Sequence, residues 1–122
     1  MLLCVLLIPH CCCTDVNFGH CSVDSASDSG GTLYAAEGSS ISISDNSIIS
    51  NSTSKWGGGV CLRDNTSLTC RESQLLHNTA ASGGGINMQE TAVARLQKGC
   101  SVLFNNATSE GGGIHATSEA KV

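Results

Sequence analysis

The sequence predicts an all-β chain wound as a right-handed parallel β-helix of about four coils, with three short strands per coil. Three observations carry this. A glycine triplet followed by an aliphatic residue recurs as Gly57-Gly58-Gly59-Val60, Gly83-Gly84-Gly85-Ile86 and Gly111-Gly112-Gly113-Ile114, with a weaker copy at Gly30-Gly31-Thr32-Leu33, at a period of 26 to 28 residues. Apolar residues alternate with others directly after each glycine group. The composition is 3% aromatic and 13% charged, against about 25% charged in an ordinary domain, with 14 glycines. A chain so poor in large side chains cannot fill a thick core, but it can bury small aliphatic residues in a thin, regular stack.

The first strand follows the glycines. Leu33 and Ala35, Val60 and Leu62, Ile86 and Met88, and Ile114 and Ala116 alternate with Tyr34, Cys61, Asn87 and His115. Period two means strand, so the former set faces inward and the latter outward. Eleven residues past each first glycine a second alternating pair begins, Ile41 and Ile43, Leu68 and Cys70, Ala94 and Leu96. This second strand buries Cys70. A third carries an aliphatic residue three places before an asparagine, as Ile48 to Asn51, Leu75 to Asn78 and Leu103 to Asn106. Coils stacked about 4.8 Å apart then pair every strand with its equivalents, and each coil needs its neighbours to cover its inner face. Leu96 to Asn106 is two residues longer than the matching spans, and the surplus is expected at the Lys98-Gly99 turn.

These columns assign roles. The triplet glycines remove Cβ atoms where the chain bends, which makes them architectural. A phosphate cradle would need a strand-to-helix junction and a lysine, and neither accompanies them. Asn51, Asn78 and Asn106 are expected to stack as an amide ladder, each donating to one neighbour and accepting from the next. Asn51, Asn65 and Asn106 begin N-x-S/T sequons, and Asn65, outside the ladder, is the expected glycan acceptor. An acid falls seven residues past each first glycine, at Glu37, Asp64 and Glu90, with Ser118 and Glu119 in the last coil, and Asp45 and Glu72 form a second, shorter column. These are expected as solvated turn residues, since no calcium-loop motif accompanies them.

Several functions lack what they would need. A net charge of -4 with six basic residues offers no stripe for nucleic acid. His10, Cys11, Cys12, Cys13, His20 and Cys21 match no zinc spacing, so neither a metal nor another cofactor is expected. His77, His115 and Trp56 stand singly near turns and assemble into no catalytic set. Eight cysteines, five of them before residue 22, point to an oxidising compartment. Residues 1-13 form an apolar, cysteine-rich leader, read as a signal peptide, a degenerate coil or the inside of a longer gene. Residues 14-122 are the repeats, expected to be a fragment of a longer array.

The paired motifs resemble the GGA[ILV] and FxxN repeats of chlamydial polymorphic membrane proteins, over roughly residues 14 to 122. Gly59, Gly85 and Gly113 stand where those repeats carry Ala, Thr32 does so in the first coil, and Ile48, Leu75 and Leu103 replace Phe. The resemblance implies a β-helix of the pectin-lyase-like kind, extracellular or on the cell surface, in the outer membrane if bacterial. It implies a non-enzymatic adhesive or structural role toward a protein or glycan, with membrane attachment only through parts absent from this chain. The rival expectation is a fragment of a polysaccharide lyase or hydrolase, for which Arg63 with Asp64, or Arg71 with Glu72, would be the acid and base set.

Overall fold

In a computed structural model of the protein, the described residues are 10–14 and 17–19, as backbone, and 33–38 and 40–122. They form β1 (His10–Thr14), β2 (Asn17–Gly19), β3 (Leu33–Ala35), β4 (Ser40–Ser44), β5 (Ile48–Ser50), β6 (Val60–Leu62) and β7 (Ser67–Cys70). There follow β8 (Gln74–Leu76), β9 (Thr79–Ser82), β10 (Ile86–Met88), β11 (Val93–Leu96), β12 (Ser101–Leu103), β13 (Asn106–Glu110) and β14 (Ile114–Ala116). All pairings between them are parallel, and the chain is a β-solenoid of about three turns with a period near 27. β1 spans the boundary expected between residues 13 and 14 and pairs in register with β4.

Three columns are four strands deep: β3-β6-β10-β14, β1-β4-β7-β11 and β2-β5-β8-β12. The expectation of three strands per coil is corrected by a fourth column, in which β9 pairs with β13 and the coil before joins through the bridges Thr53↔Thr79 and Trp56↔Ser82. Its residues are Ser, Thr and Ala with little apolar alternation, so its sequence carries no strand signal. The inward positions of the other columns form one continuous core, with Leu33, Ile43, Ile49, Leu62, Leu68, Leu75, Ile86 and Met88 among the fully buried members. Each such burial contributes about 1.5–3 kcal/mol.

The coil has four corners, and each places a residue in the left-handed region. The first holds Glu37, Asp64, Glu90 and Ser118 at φ 54° to 62°; the second Asp45, Asn46, Glu72 and Gly99; the third Asn51, His77 and Phe104; the fourth Gly57, Gly83 and Gly111. A non-glycine residue there costs about 1–2 kcal/mol. Bonds between coils offset that cost, for example Glu72 N–H to the Lys98 carbonyl at 3.0 Å and Asn46 N–H to the Glu72 carbonyl at 2.8 Å. The fourth corner alone is glycine throughout, because a Cβ on Gly111 would lie 2.5 Å from the Ile114 oxygen, and Gly57 and Gly83 meet Val60 and Ile86 in the same way.

Two expectations about register fail by one residue. Ile49 pairs with Leu75 and Leu75 with Val102, so the inward residues of the third column are Ile49, Leu75 and Val102, not Ile48 and Leu103. Adjacent aliphatic residues, Ile48-Ile49 and Val102-Leu103, left the choice open in the sequence, and a slip of one residue exchanges the faces. The two surplus residues of the longest coil also separate. One lies at the second corner, between Leu96 and Ser101, and the other is a bulge in β13 between Ala107 and Glu110.

Candidate functional site

The repeat residues are placed as follows. The second and third glycines of each triplet stack backbone to backbone. Gly59 N–H donates to the Gly85 oxygen at 3.1 Å and Gly85 N–H to the Gly113 oxygen at 3.0 Å. A Cβ on Gly59 would stand 2.7 Å from the Gly85 oxygen, and one on Gly85 2.6 Å from that of Gly113. Gly58 and Gly84 are closed in the same manner by the triplet of the next coil and by the backbone of Thr79 and Asn106, at the start of β9 and β13. The approach of one backbone to the next consumes these glycines and leaves no concavity for a phosphate.

The amide ladder exists but not at the expected positions. Asn51 and Asn106 are exposed, and the ladder is Ser52, Asn78 and Asn105. Asn78 is fully buried. Its Nδ2 donates to the Ile49 carbonyl at 3.1 Å, and its Oδ1 accepts from Ser52 N–H at 3.1 Å. Asn105 repeats this one coil on, with Nδ2 to the Leu75 carbonyl at 2.9 Å and Oδ1 accepting from Asn78 N–H at 2.9 Å. The ladder thus ties the third strand to the fourth column across successive coils. Asn51 instead occupies the third corner in line with His77 and Phe104, whose rings stack 5.3 Å apart.

The acidic column is the densest set of titratable groups. Asp64 accepts from Glu37 N–H at 3.2 Å and shares a hydrogen bond with Glu90, while Arg63 Nη2 lies 3.8 Å from Glu90 Oε1. The bond to Glu90, then that from Glu37 N–H, holds the Asp64 carboxyl below its usual range, and the same contact with Asp64 raises Glu90. The two neighbouring carboxyls thus push each other's values apart, as closely placed acids do. Arg71 stands 3.9 Å from Glu72 on the neighbouring corner. Both ion pairs are exposed, and such pairs contribute little to stability.

A second polar chain runs along the outward side of the first column. Cys61 Sγ lies 4.0 Å from Asn87 Oδ1, Asn87 Nδ2 2.9 Å from His115 Nδ1, and His115 Nε2 2.8 Å from Glu110. Cys61 and Asn87, expected to point outward, are fully buried. They do leave the core, but the glycine turn folds over them: a Cβ on Gly83 would lie 2.8 Å from the Asn87 Cα. Asn87 separates the thiol from the imidazole, and the thiol is closed to solvent, so this chain holds coils together and offers no nucleophile.

Cys70, inward as expected, is bonded to Cys100 of the next coil, with Cα atoms 5.7 Å apart and a sequence separation of 30. Asn65, the expected glycan acceptor, is exposed at the first corner, and its Oδ1 accepts a short hydrogen bond from the Thr91 hydroxyl. Among the described residues no group of three or more His, Cys, Asp or Glu side chains is placed to hold a metal ion. The side chains of His10 to Cys13, together with His20, Cys21 and the Gly30-Gly31-Thr32 copy of the triplet, lie outside the described residues. Comparison with protein-family models, with curated proteins and with solved structures gave no match to this chain.

Proposed function

We propose that this chain is a non-enzymatic β-solenoid module of an extracellular or cell-surface protein, adhesive or structural, which presents its outer columns to a protein or glycan partner. The observation that carries this reading is that the repeat residues are spent on building. Gly58, Gly59, Gly84 and Gly85 are closed by the backbone of the next coil, and the ladder amides bond to strand carbonyls and amides. What is left facing solvent is a set of periodic corners and strand faces suited to repeated contact. The Cys70–Cys100 bond supports an oxidising compartment, and the resemblance to chlamydial surface repeats points the same way.

A second reading, a piece of a polysaccharide lyase or hydrolase, draws on the Arg63, Asp64 and Glu90 cluster, which brings a guanidinium and two carboxyls together. It is the weaker one, because those groups stand on a convex corner. The discriminating experiment incubates the chain with cells or matrix and, separately, with acidic polysaccharides with and without calcium. Saturable binding without chain cleavage is expected; cleavage abolished by Arg63→Ala would establish the enzyme instead.

A further inference from the structure

The second corner is uneven, and the unevenness makes a cleft. Between the second and third strands the register leaves Asp45, Asn46 and Ser47 in one coil, Glu72 and Ser73 in the next, and Lys98, Gly99 and Cys100 in the third. The middle coil is one residue shorter than both neighbours, so its corner is recessed between them. The resulting cleft, about 300 Å³, is lined by Asn46, Ser47, Ile48, Glu72, Gln74 and Gly99. That volume is at the small end of ligand sites and matches about one ring.

The cleft is preformed. Gly99, at φ +77°, lets the longer corner close against Glu72, since a Cβ there would meet the Glu72 Cα at 3.0 Å. Glu72 N–H donates to the Lys98 carbonyl at 3.0 Å and Gln74 N–H to the Ser47 carbonyl at 2.9 Å, which ties all three coils together around it. Cys100, next to Gly99, is anchored to the core by its bond to Cys70. A site fixed in this way loses little entropy on binding.

Its polar groups face solvent. The amides of Asn78, Asn87 and Asn105 bond to other protein groups. The carboxamides of Asn46 and Gln74 and the Glu72 carboxylate stand exposed around the cleft, open to an incoming ligand, with Arg71 3.9 Å from Glu72. Two amides, each able to donate and accept, and one acceptor carboxylate beside the aliphatic Ile48 match a ring that carries hydroxyls on its edge and C–H groups on its face. No Lys or Arg is among the lining residues, so the cleft itself offers no cation to hold a uronate, sulfate or phosphate. We propose that this recessed corner binds one residue of a neutral glycan. The proposal rests on the reading of the chain as a non-enzymatic binding module and names the class of its ligand.

The test displays the 122-residue chain against immobilised neutral hexose and N-acetylhexosamine oligomers, uronate oligomers and sulfated oligomers. The variants are Asn46→Gly, which keeps the left-handed corner, and Gln74→Ala, with thermal melting to confirm folding. Binding of a neutral oligomer is expected, weakened roughly tenfold or more when both amides are removed. Neutral binding unchanged in the folded double variant would overturn the cleft, and preference for uronate or sulfated oligomers would overturn the ligand class. Attachment to cells that survives glycosidase treatment, with no oligomer bound, would overturn the glycan and leave the binding module standing. Turnover of any oligomer would instead remove the non-enzymatic reading.

Discussion

Gly85 and Gly113 hold the same place in successive repeats, yet Gly85→Ala and Gly113→Ala should differ in sign. At Gly85 the new Cβ would stand 2.6 Å from the Gly113 oxygen and 2.9 Å from Asn105 Nδ2. Ordinary contact needs about 3.4 Å or more, so the coils would have to part locally by nearly an ångström. The Gly113 oxygen accepts from Gly85 N–H at 3.0 Å and from Ile86 N–H at 2.9 Å. Parting the coils lengthens both bonds past useful range, at about 1 kcal/mol each, and strains the packing by about 1–3 kcal/mol. A loss of about 3–5 kcal/mol follows. At Gly113 the nearest atom to a new Cβ is Val102 Cγ1 at 3.8 Å, and φ is not left-handed. The alanine then fits and restricts the unfolded chain, for a gain of about 0.5 kcal/mol. Urea titrations of the wild type and both variants measure this. Equal losses at the two positions would refute the argument that close approach of the next coil, and not a turn, demands the third glycine.

Other consequences follow from the same geometry. Cys100→Ser, or reduction of the wild type, opens a 30-residue loop and should lower stability by about 3.5 kcal/mol, read as a shift of the urea midpoint. Asn78→Ala strands the Ile49 carbonyl and the Ser52 N–H inside the solenoid and should cost about 2–4 kcal/mol, whereas Asn106→Ala, at an exposed position, should stay within about 0.5 kcal/mol by the same titration. For the acidic pair, Asp64 is lowered below 3.8 and Glu90 raised above 4.5. The Asp64 contribution is present above its unfolded value and is lost as pH falls through its folded one. The Glu90 contribution is present at low pH and is lost as pH rises through its raised value. Melting temperature should therefore peak between the lowered Asp64 value and the raised Glu90 value and decline above the latter, and Glu90→Gln, permanently neutral, should flatten that decline.

The first two columns were legible in the sequence because glycine triplets set the phase and apolar alternation runs unbroken through Val60-Leu62, Ile86-Met88 and Leu68-Cys70. The third column was ambiguous, since Ile48-Ile49, Val102-Leu103 and Asn105-Asn106 are doublets that satisfy either register. Choosing the outer member of each pair put the ladder at Asn51 and Asn106 and merged a corner insertion with the β13 bulge. The fourth column was invisible because its stabilisation comes from backbone bonds between coils, such as Ser54 N–H to the Thr79 carbonyl, which no side-chain pattern records. The acidic positions were found by counting, but their cause was not. They are corners held at positive φ, a backbone demand that Glu37, Asp64 and Glu90 meet beside Ser118. The recessed cleft emerges only when three corner lengths are compared in the correct register.

The core, the ladder and the cleft all depend on that register. Nuclear Overhauser contacts in uniformly labelled protein measure it directly, through the backbone proton pairs that join parallel partners. The expected set links Leu68 with Ala94, Ile49 with Leu75, Leu75 with Val102 and Ile86 with Ile114. Contacts joining Ile48 with Leu75 and Leu75 with Leu103, or antiparallel contacts between neighbours in sequence, would contradict it.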